Sequence, residues 1–334
     1  MAIVTNRTDV VRIYEAAAAK QWVIPCFCTE NLTTTEAILS AAQSYAEEHE
    51  MERLPITVAI TANYGHRSQA KNYTHTRNWK TGMGLFLADV QALAAADGPF
   101  PNVDVLLHLD HIQHDADREL LGSDLSMFSS IMYDASALPL DENIRLTAEF
   151  VRQRRDEILI EGACDEIFDA GGQAHNALTT PENALRFKRE TGVDLLVANL
   201  GTEHRAAGQV LHYYDDVARS IQAEVGSCLV LHGLSSVSRD QLAAIFRDGV
   251  CKVNIWTMLE RDATPLLFRK MVENAEKVAG PKTVAALVGE GLLPDTAKKG
   301  EAGSLAFFTT VWRQDVIFNA MKEMVFGFLE MWYK

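Results

Sequence analysis

The sequence predicts an α/β protein folded as a (β/α)8 TIM barrel with a C-terminal helical extension. Three observations predict it: eight short apolar runs that read as strands, helical periodicity between successive runs, and polar or titratable residues where nearly every run stops. Strands apolar on both faces belong to a parallel sheet covered by helices, and eight of them close a barrel. A doubly wound open sheet would gather its chemistry at one switch point, and no Gly-x-Gly-x-x-Gly follows the first run.

In chain order the expected strands are Trp22 to Cys28, Pro55 to Ala62, Val103 to Asp110, Met127 to Asp134, Ile158 to Cys164, Asp194 to Leu200, Cys228 to His232 and Val250 to Trp256. Helical spacing is clear over Thr33 to Glu48, Asn78 to Ala96, Leu140 to Arg155, Pro181 to Glu190, Tyr213 to Glu224 and Ser238 to Asp248. Thr180-Pro181-Glu182 supplies a cap, a proline at the first helical position and an acid in the first turn, and Ser238-Arg-Asp240 starts its helix similarly. The barrel domain is expected over 1–280 and the extension over 281–334, where Gly289-Glu-Gly-Leu-Leu-Pro294 and Lys298-Lys-Gly-Glu break the pattern. From Thr310 to Tyr333, the residues Trp312, Val316, Ile317, Met321, Val325, Phe328 and Trp332 recur at helical spacing. So apolar a face is expected to pack on the barrel or on a neighbouring subunit, which points to a homo-oligomer, a dimer or tetramer.

With 334 residues and 48% hydrophobic content, the chain can bury one large core. Its formal charge of -14 repels nucleic acid and anionic membrane surfaces, so the expected partner is a small molecule, and any anion must be held by local positive groups. No run approaches the roughly 20 apolar residues of a membrane span, and no basic segment with an apolar core opens the chain, so a cytoplasmic protein is expected. The five cysteines are odd in number and lie in apolar runs, reading as reduced core residues.

The stretch Val105-Leu-Leu-His-Leu-Asp-His111 is an apolar run ending in a carboxylate between two imidazoles. Two further runs, Leu195 to His204 and Cys228 to His232, also deliver a histidine where they stop. Three imidazoles leave one position open on a Zn2+-like divalent ion, the arrangement of a catalytic metal site, and His111, His204 and His232 are the expected ligands. Going round the barrel mouth, the strand ends carry Asn31, Thr61, Asp110, Asp134, Glu161, His204, His232, Asn254 and Thr257. Asp134 and Glu161 are candidates for a second metal site. Period-2 geometry turns His108 away from His111 and makes it structural. His114 and His212 read as surface residues.

The run His108-Leu-Asp-His111 followed by Phe128-Ser-Ser-Ile-Met-Tyr-Asp134-Ala-Ser-Ala-Leu-Pro-Leu-Asp-Glu-Asn-Ile144 resembles the class II, metal-dependent fructose-bisphosphate and tagatose-bisphosphate aldolases. Thr180-Pro-Glu182, Thr191-Gly-Val-Asp194, Gly201-Thr-Glu-His204, Leu231-His-Gly233 and Gly249-Val-Cys-Lys-Val-Asn254 continue the resemblance, which runs from about Pro25 to about Thr264. The resemblance implies a lyase working through a metal-stabilised enediolate. It assigns the metal to His111, His204 and His232, proton transfer at the aldol hydroxyl to Asp110, and the ketose phosphate half to Asn254 and Thr61, with Asn31 as a further site residue.

This chain also departs from the family pattern. Ile160-Glu-Gly-Ala-Cys-Asp165 puts Ala163 where the family has a second glutamate, leaving Asp165 or Glu166 as substitutes, and the acidic loop reads Asp165-Glu-Ile-Phe-Asp169-Ala-Gly-Gly-Gln. The glycine-rich anion loop is His232-Gly-Leu-Ser-Ser236, keeping Gly233 and Ser235 but adding side chains where glycine lets amides approach an anion. Trp256 stands where a small polar residue is common, and Arg205 follows His204 as a possible fork for phosphate or carboxylate. Between Leu54 and Ala88 there is no acidic residue, whereas Arg67, Lys71, Arg77, Lys80, His66 and His75 all fall there, suiting a cover that attracts an anionic substrate. The expectation is therefore an aldolase acting on a ketose phosphate or related acidic sugar. The alternatives are a non-catalytic aldolase-like subunit, favoured by Ala163 and the altered loop, and a metal-dependent hydrolase on the same barrel.

Overall fold

In a computed structural model, which describes residues 3–167, 178–204 and 212–334, eight strands form one closed, parallel barrel in sequential order. They are β1 (Ile24–Cys28), β2 (Leu54–Ile60), β3 (Val103–Gln113), β4 (Ser130–Asp134), β5 (Leu159–Ala163), β6 (Leu195–Val197), β7 (Leu229–Leu231) and β8 (Val250–Ile255). The ring closes where Cys26 of β1 pairs with Asn254 of β8. Helices between successive strands cover the barrel, making it a (β/α)8 TIM barrel whose core of Val, Ile, Leu and Phe is continuous from strand to helix.

Local chemistry starts the helices where the sequence expects them. Asn31 caps Leu32–Glu48 by accepting from the Thr34 amide, Thr180 caps Pro181–Thr191, and Ser238 with Gln241 forms a capping box on Arg239–Ala244. Among the elements that the sequence reading did not give are the helices Arg7–Ala19 before β1 and Gln69–Asn72 after β2. The second packs so closely on the helix Trp79–Leu93 that a Cβ on Gly82 would lie 1.7 Å from the Ala70 carbonyl oxygen, so only glycine fits there.

The helix Thr310–Trp332 lies against the helices Leu32–Glu48 and Thr257–Glu273 and feeds Val325, Phe328, Leu329 and Trp332 into the core. The Tyr45 hydroxyl donates to the Tyr333 carbonyl (2.8 Å), the Tyr333 hydroxyl to the Pro55 carbonyl (2.6 Å), and the Trp332 indole to the Leu242 carbonyl (2.9 Å). Among the described residues no helix is long and apolar enough to cross a membrane. All five cysteines are free thiols.

Strand β3 is irregular at the point that matters. Its pairing with β4 shifts register between Leu109 and Ile112, and His111 sits there at φ 47°, in the left-handed region a non-glycine residue rarely adopts. The bulge re-aims His111, so Asp110 and His111, adjacent in sequence, both line one pocket.

Candidate metal centre and the pocket around it

His111, His204 and His232 arrive from β3 and from just beyond β6 and β7, and their ring nitrogens gather within 4.8 Å of one another. His111 Nε2 and His232 Nδ1 are 3.1 Å apart, close to the ~3.3 Å that separates two nitrogens at ~2.0–2.1 Å on a tetrahedral ion. His204 Nε2 is buried and has no hydrogen-bond partner among the described residues, a cost that a cation would remove. The donor set and this orphaned nitrogen fit a divalent ion. Burial, then the neighbouring His111 and His232, holds His204 well below the ordinary imidazole range and therefore neutral, as a ligand must be.

Two carboxylates orient the rings from behind. Asp134, at the end of β4, accepts from His111 Nδ1 at 2.8 Å and also from Ser136 and Gln113. Glu161, inside β5, is 3.2 Å from His232 Nε2. The two carboxylates, read from sequence as candidates for a second metal site, are thus each engaged with a different histidine of the first cluster. Each has further partners of its own, Ser136 and Gln113 for Asp134 and Lys252 for Glu161.

Beneath the cluster the barrel interior is charged. Lys252 of β8 and Glu161 of β5 are both 0% exposed and pair across the axis at 2.7 Å, with Lys252 Nζ also 3.1 Å from His108 Nε2. Burial alone would raise Glu161, but Lys252 and His232 bring it down to about 2. His108 accordingly faces the barrel axis, sharing a face with Asp110 and bonded through Nδ1 to Ser130 Oγ at 2.8 Å. The spacing argument that set His108 opposite His111 fails at the bulge, which brings His111 to the inner side as well; His108 lies in an ionic column with Lys252.

Asp110 is buried at the pocket floor. Its Oδ1 accepts from Asn254 Nδ2 (2.9 Å) and its Oδ2 from the Cys28 thiol (3.4 Å). Burial pushes this carboxyl up, yet His111, His108 and His232 hold it well below the usual carboxylate range. Asn254 Oδ1 is buried and has no hydrogen-bond partner among the described residues. Thr61, Gly233, Ser235, Asn254 and Thr257 line the same pocket. Gly233 has φ 71°, and a Cβ there would come within 2.9 Å of the Glu203 backbone, so the loop after β7 requires this glycine.

Not every expected residue joins them. Asn31 is exposed and spends its side chain on capping the helix Leu32–Glu48, while its neighbour Glu30 faces the pocket side instead. Asp165, considered as a substitute ligand, accepts from Thr179 Oγ1 at 2.7 Å. Arg205 and most of the acidic loop, including Asp169, lie outside the described residues.

Sequence reasoning missed an aromatic and ionic wall. Tyr64 stacks on His111 with ring centroids 4.3 Å apart and planes at 2°. Buried Glu30 accepts from Arg67 through both Nε (2.9 Å) and Nη2, from the Trp256 indole (2.7 Å) and from Gln69 (3.4 Å). Trp256 is marked in the sequence as the end of its run, and Arg67 only by the acid-free segment that holds it; no run or motif marks Glu30 or Tyr64. Nearby, burial and the Glu30 charge raise Glu260 to about 7. A carboxyl raised from ~4.3 in the unfolded chain favours the fold below that pH, and the contribution is lost as pH rises through about 7. Melting curves from pH 4 to 8 should show wild type losing stability relative to Glu260→Gln over this window; parallel curves would contradict the shift.

The family model described as "Fructose-bisphosphate aldolase class-II" matches residues 8–297. The fructose-bisphosphate aldolase of Giardia intestinalis is 28% identical over 244 residues, covering 63% of this chain and 74% of that one. That of Streptococcus pneumoniae is 29% identical over 267 residues, covering 77% and 80%. Among solved structures, the fructose-bisphosphate aldolase of Campylobacter jejuni superposes with a TM-score of 0.73 at 18% identity, covering 99% of this chain and 96% of its own. The YdjI aldolase of Escherichia coli K12 gives 0.63 at 20%, covering 96% of both. These two structural likenesses speak for the fold alone.

Proposed function

The chain belongs to the class II fructose-bisphosphate aldolase family, a family of generally metal-dependent lyases, and from that premise we propose that it cleaves or forms a C–C bond of a ketose phosphate or related acidic sugar with a Zn2+-like ion at His111, His204 and His232. The observation that carries the reading is the convergence of three imidazoles, one of them orphaned, beside the buried carboxylate of Asp110. When bound there, a divalent cation supplies the positive charge that C–C cleavage beside a ketone needs.

The chain's own residues do the rest. Asp134 and Glu161 fix the orientation of His111 and His232. Asp110, ionised and aimed by Asn254 Nδ2, takes the proton of the aldol hydroxyl as the bond breaks and returns it in the condensation direction. Thr61, Gly233, Ser235, Asn254 and Thr257 line the space available to the ketose half. Tyr64, packed face to face on His111, keeps water from that side of the ring. The large acidic excess suits a small sugar substrate rather than a nucleic acid. A cytoplasmic homo-oligomer, dimer or tetramer, and a two-part chain divided near residue 280 belong to the same proposal.

The test is metal content and proton exchange together. Purified wild type is expected to carry about one divalent ion per chain and to exchange the proton next to the carbonyl of a ketose phosphate. His204→Ala is expected to lose both. A wild type free of metal after growth in zinc would favour the non-catalytic alternative, and bound metal with no exchange on any phosphorylated or carboxylated ketose would favour hydrolysis.

A further inference from the structure

Resting on the aldolase reading, we propose that Arg67, clamped by Glu30 against Trp256, is the residue that selects an anionic group on the substrate. Glu30 engages the guanidinium side-on through Nε and Nη2. The opposite edge, Nη1 with the outer hydrogen of Nη2, has no partner among the described residues, and Arg67 lines the pocket that holds the three histidines. That free edge presents two parallel N–H donors in the geometry that matches two oxygens of a carboxylate or phosphate.

The clamp is built from three strand ends. Glu30 follows β1, Trp256 follows β8, and the Gln69 that also donates to Glu30 is locked to Thr61 beyond β2 by reciprocal bonds of 2.9 Å. Thr61 Oγ1 in turn donates to the Arg67 carbonyl. Arg67 stands over the Trp256 ring, its guanidinium carbon 5.4 Å from the centroid. Both faces of the guanidinium's freedom are therefore spent before a ligand arrives, which lowers the entropy lost on binding. The loop after β7, where Leu234 and Ser235 carry side chains, leaves the pocket with a fixed guanidinium as its positive donor among the described lining residues. A pairing of Arg67 with Glu30 also cancels net charge, so the anchor discriminates by hydrogen-bond geometry and not by long-range attraction.

The experiment compares zinc-loaded wild type, Arg67→Ala and Arg67→Lys on three probes: dihydroxyacetone phosphate, hydroxypyruvate and uncharged dihydroxyacetone, read as proton exchange. Arg67→Ala is expected to raise KM for an anionic probe about 10- to 100-fold with kcat nearly unchanged, while dihydroxyacetone stays within about twofold. Arg67→Lys should recover less than a tenth of the loss, because a point charge lacks the fork. Whichever anionic probe loses more names the source as phosphate or carboxylate. Equal losses on all three probes would make Arg67 merely structural, and no loss on either anion would overturn the proposal outright. If wild type exchanges none of them, the aldolase reading fails, and calorimetric titration of inorganic phosphate and malonate decides for Arg67 alone: binding by wild type that Arg67→Ala loses sustains the anchor, and equal or absent binding ends it.

Discussion

Asp110→Ala is expected to lower C–C cleavage about 10²- to 10⁴-fold while leaving the metal content of the protein unchanged. The carboxylate touches none of the three ligand nitrogens by hydrogen bond; it is bonded to Asn254 and Cys28, and its charge is what the pocket preserves against burial. Removing it therefore removes a proton acceptor and not a ligand. Activity by coupled assay and metal by elemental analysis, on the same preparation, separate the two roles. Metal loss in this variant would make Asp110 part of the seat, and activity within tenfold of wild type would assign the proton to another group. Asp110→Asn keeps the shape and should be as slow as the alanine variant.

The largest stability effect is expected from Lys252→Met, at about 3–5 kcal/mol, because it strands the Glu161 carboxylate inside the barrel without its partner. Denaturant unfolding with an unchanged slope would report it. Replacing both partners, Lys252→Met with Glu161→Leu, should restore much of that stability, since hydrocarbon of similar volume replaces a pair that gains little over its desolvation cost. The double variant should nevertheless bind zinc about 10- to 100-fold more weakly, having lost the carboxylate behind His232. A single variant as stable as wild type would show that water or a rearranged side chain satisfies Glu161.

The barrel was legible because its signal is redundant. Eight doubly buried runs, punctuated by caps such as Thr180 and Ser238, each repeat the same message, and errors of a few residues at β6 or β7 do not alter the count. The three histidines were legible for the same reason: each ends a run, and in a closed parallel barrel all the strand ends face one mouth. What stayed hidden depends on pairings between distant strands. A lysine inside an apolar run, Lys252, discloses nothing until β8 is placed opposite β5 and β3. Asn31 reads as a site residue, and only the turn geometry makes it a helix cap and gives the adjacent Glu30 the inward position. Arg67 and Tyr64 sit in a connection with no periodicity, so neither their direction nor their partners could be read.

The kink in β3 bears on whether this centre can be moved elsewhere. With His111 held at φ 47°, its aim is written in the main chain as much as in the choice of side chain. Copying the three histidines onto a regular barrel would send that imidazole outward among the covering helices, whatever the match of residue types. A transplant has to carry the extra residue of the strand with it, and a single deletion between Leu109 and Ile112 should dismantle the centre while sparing the scaffold.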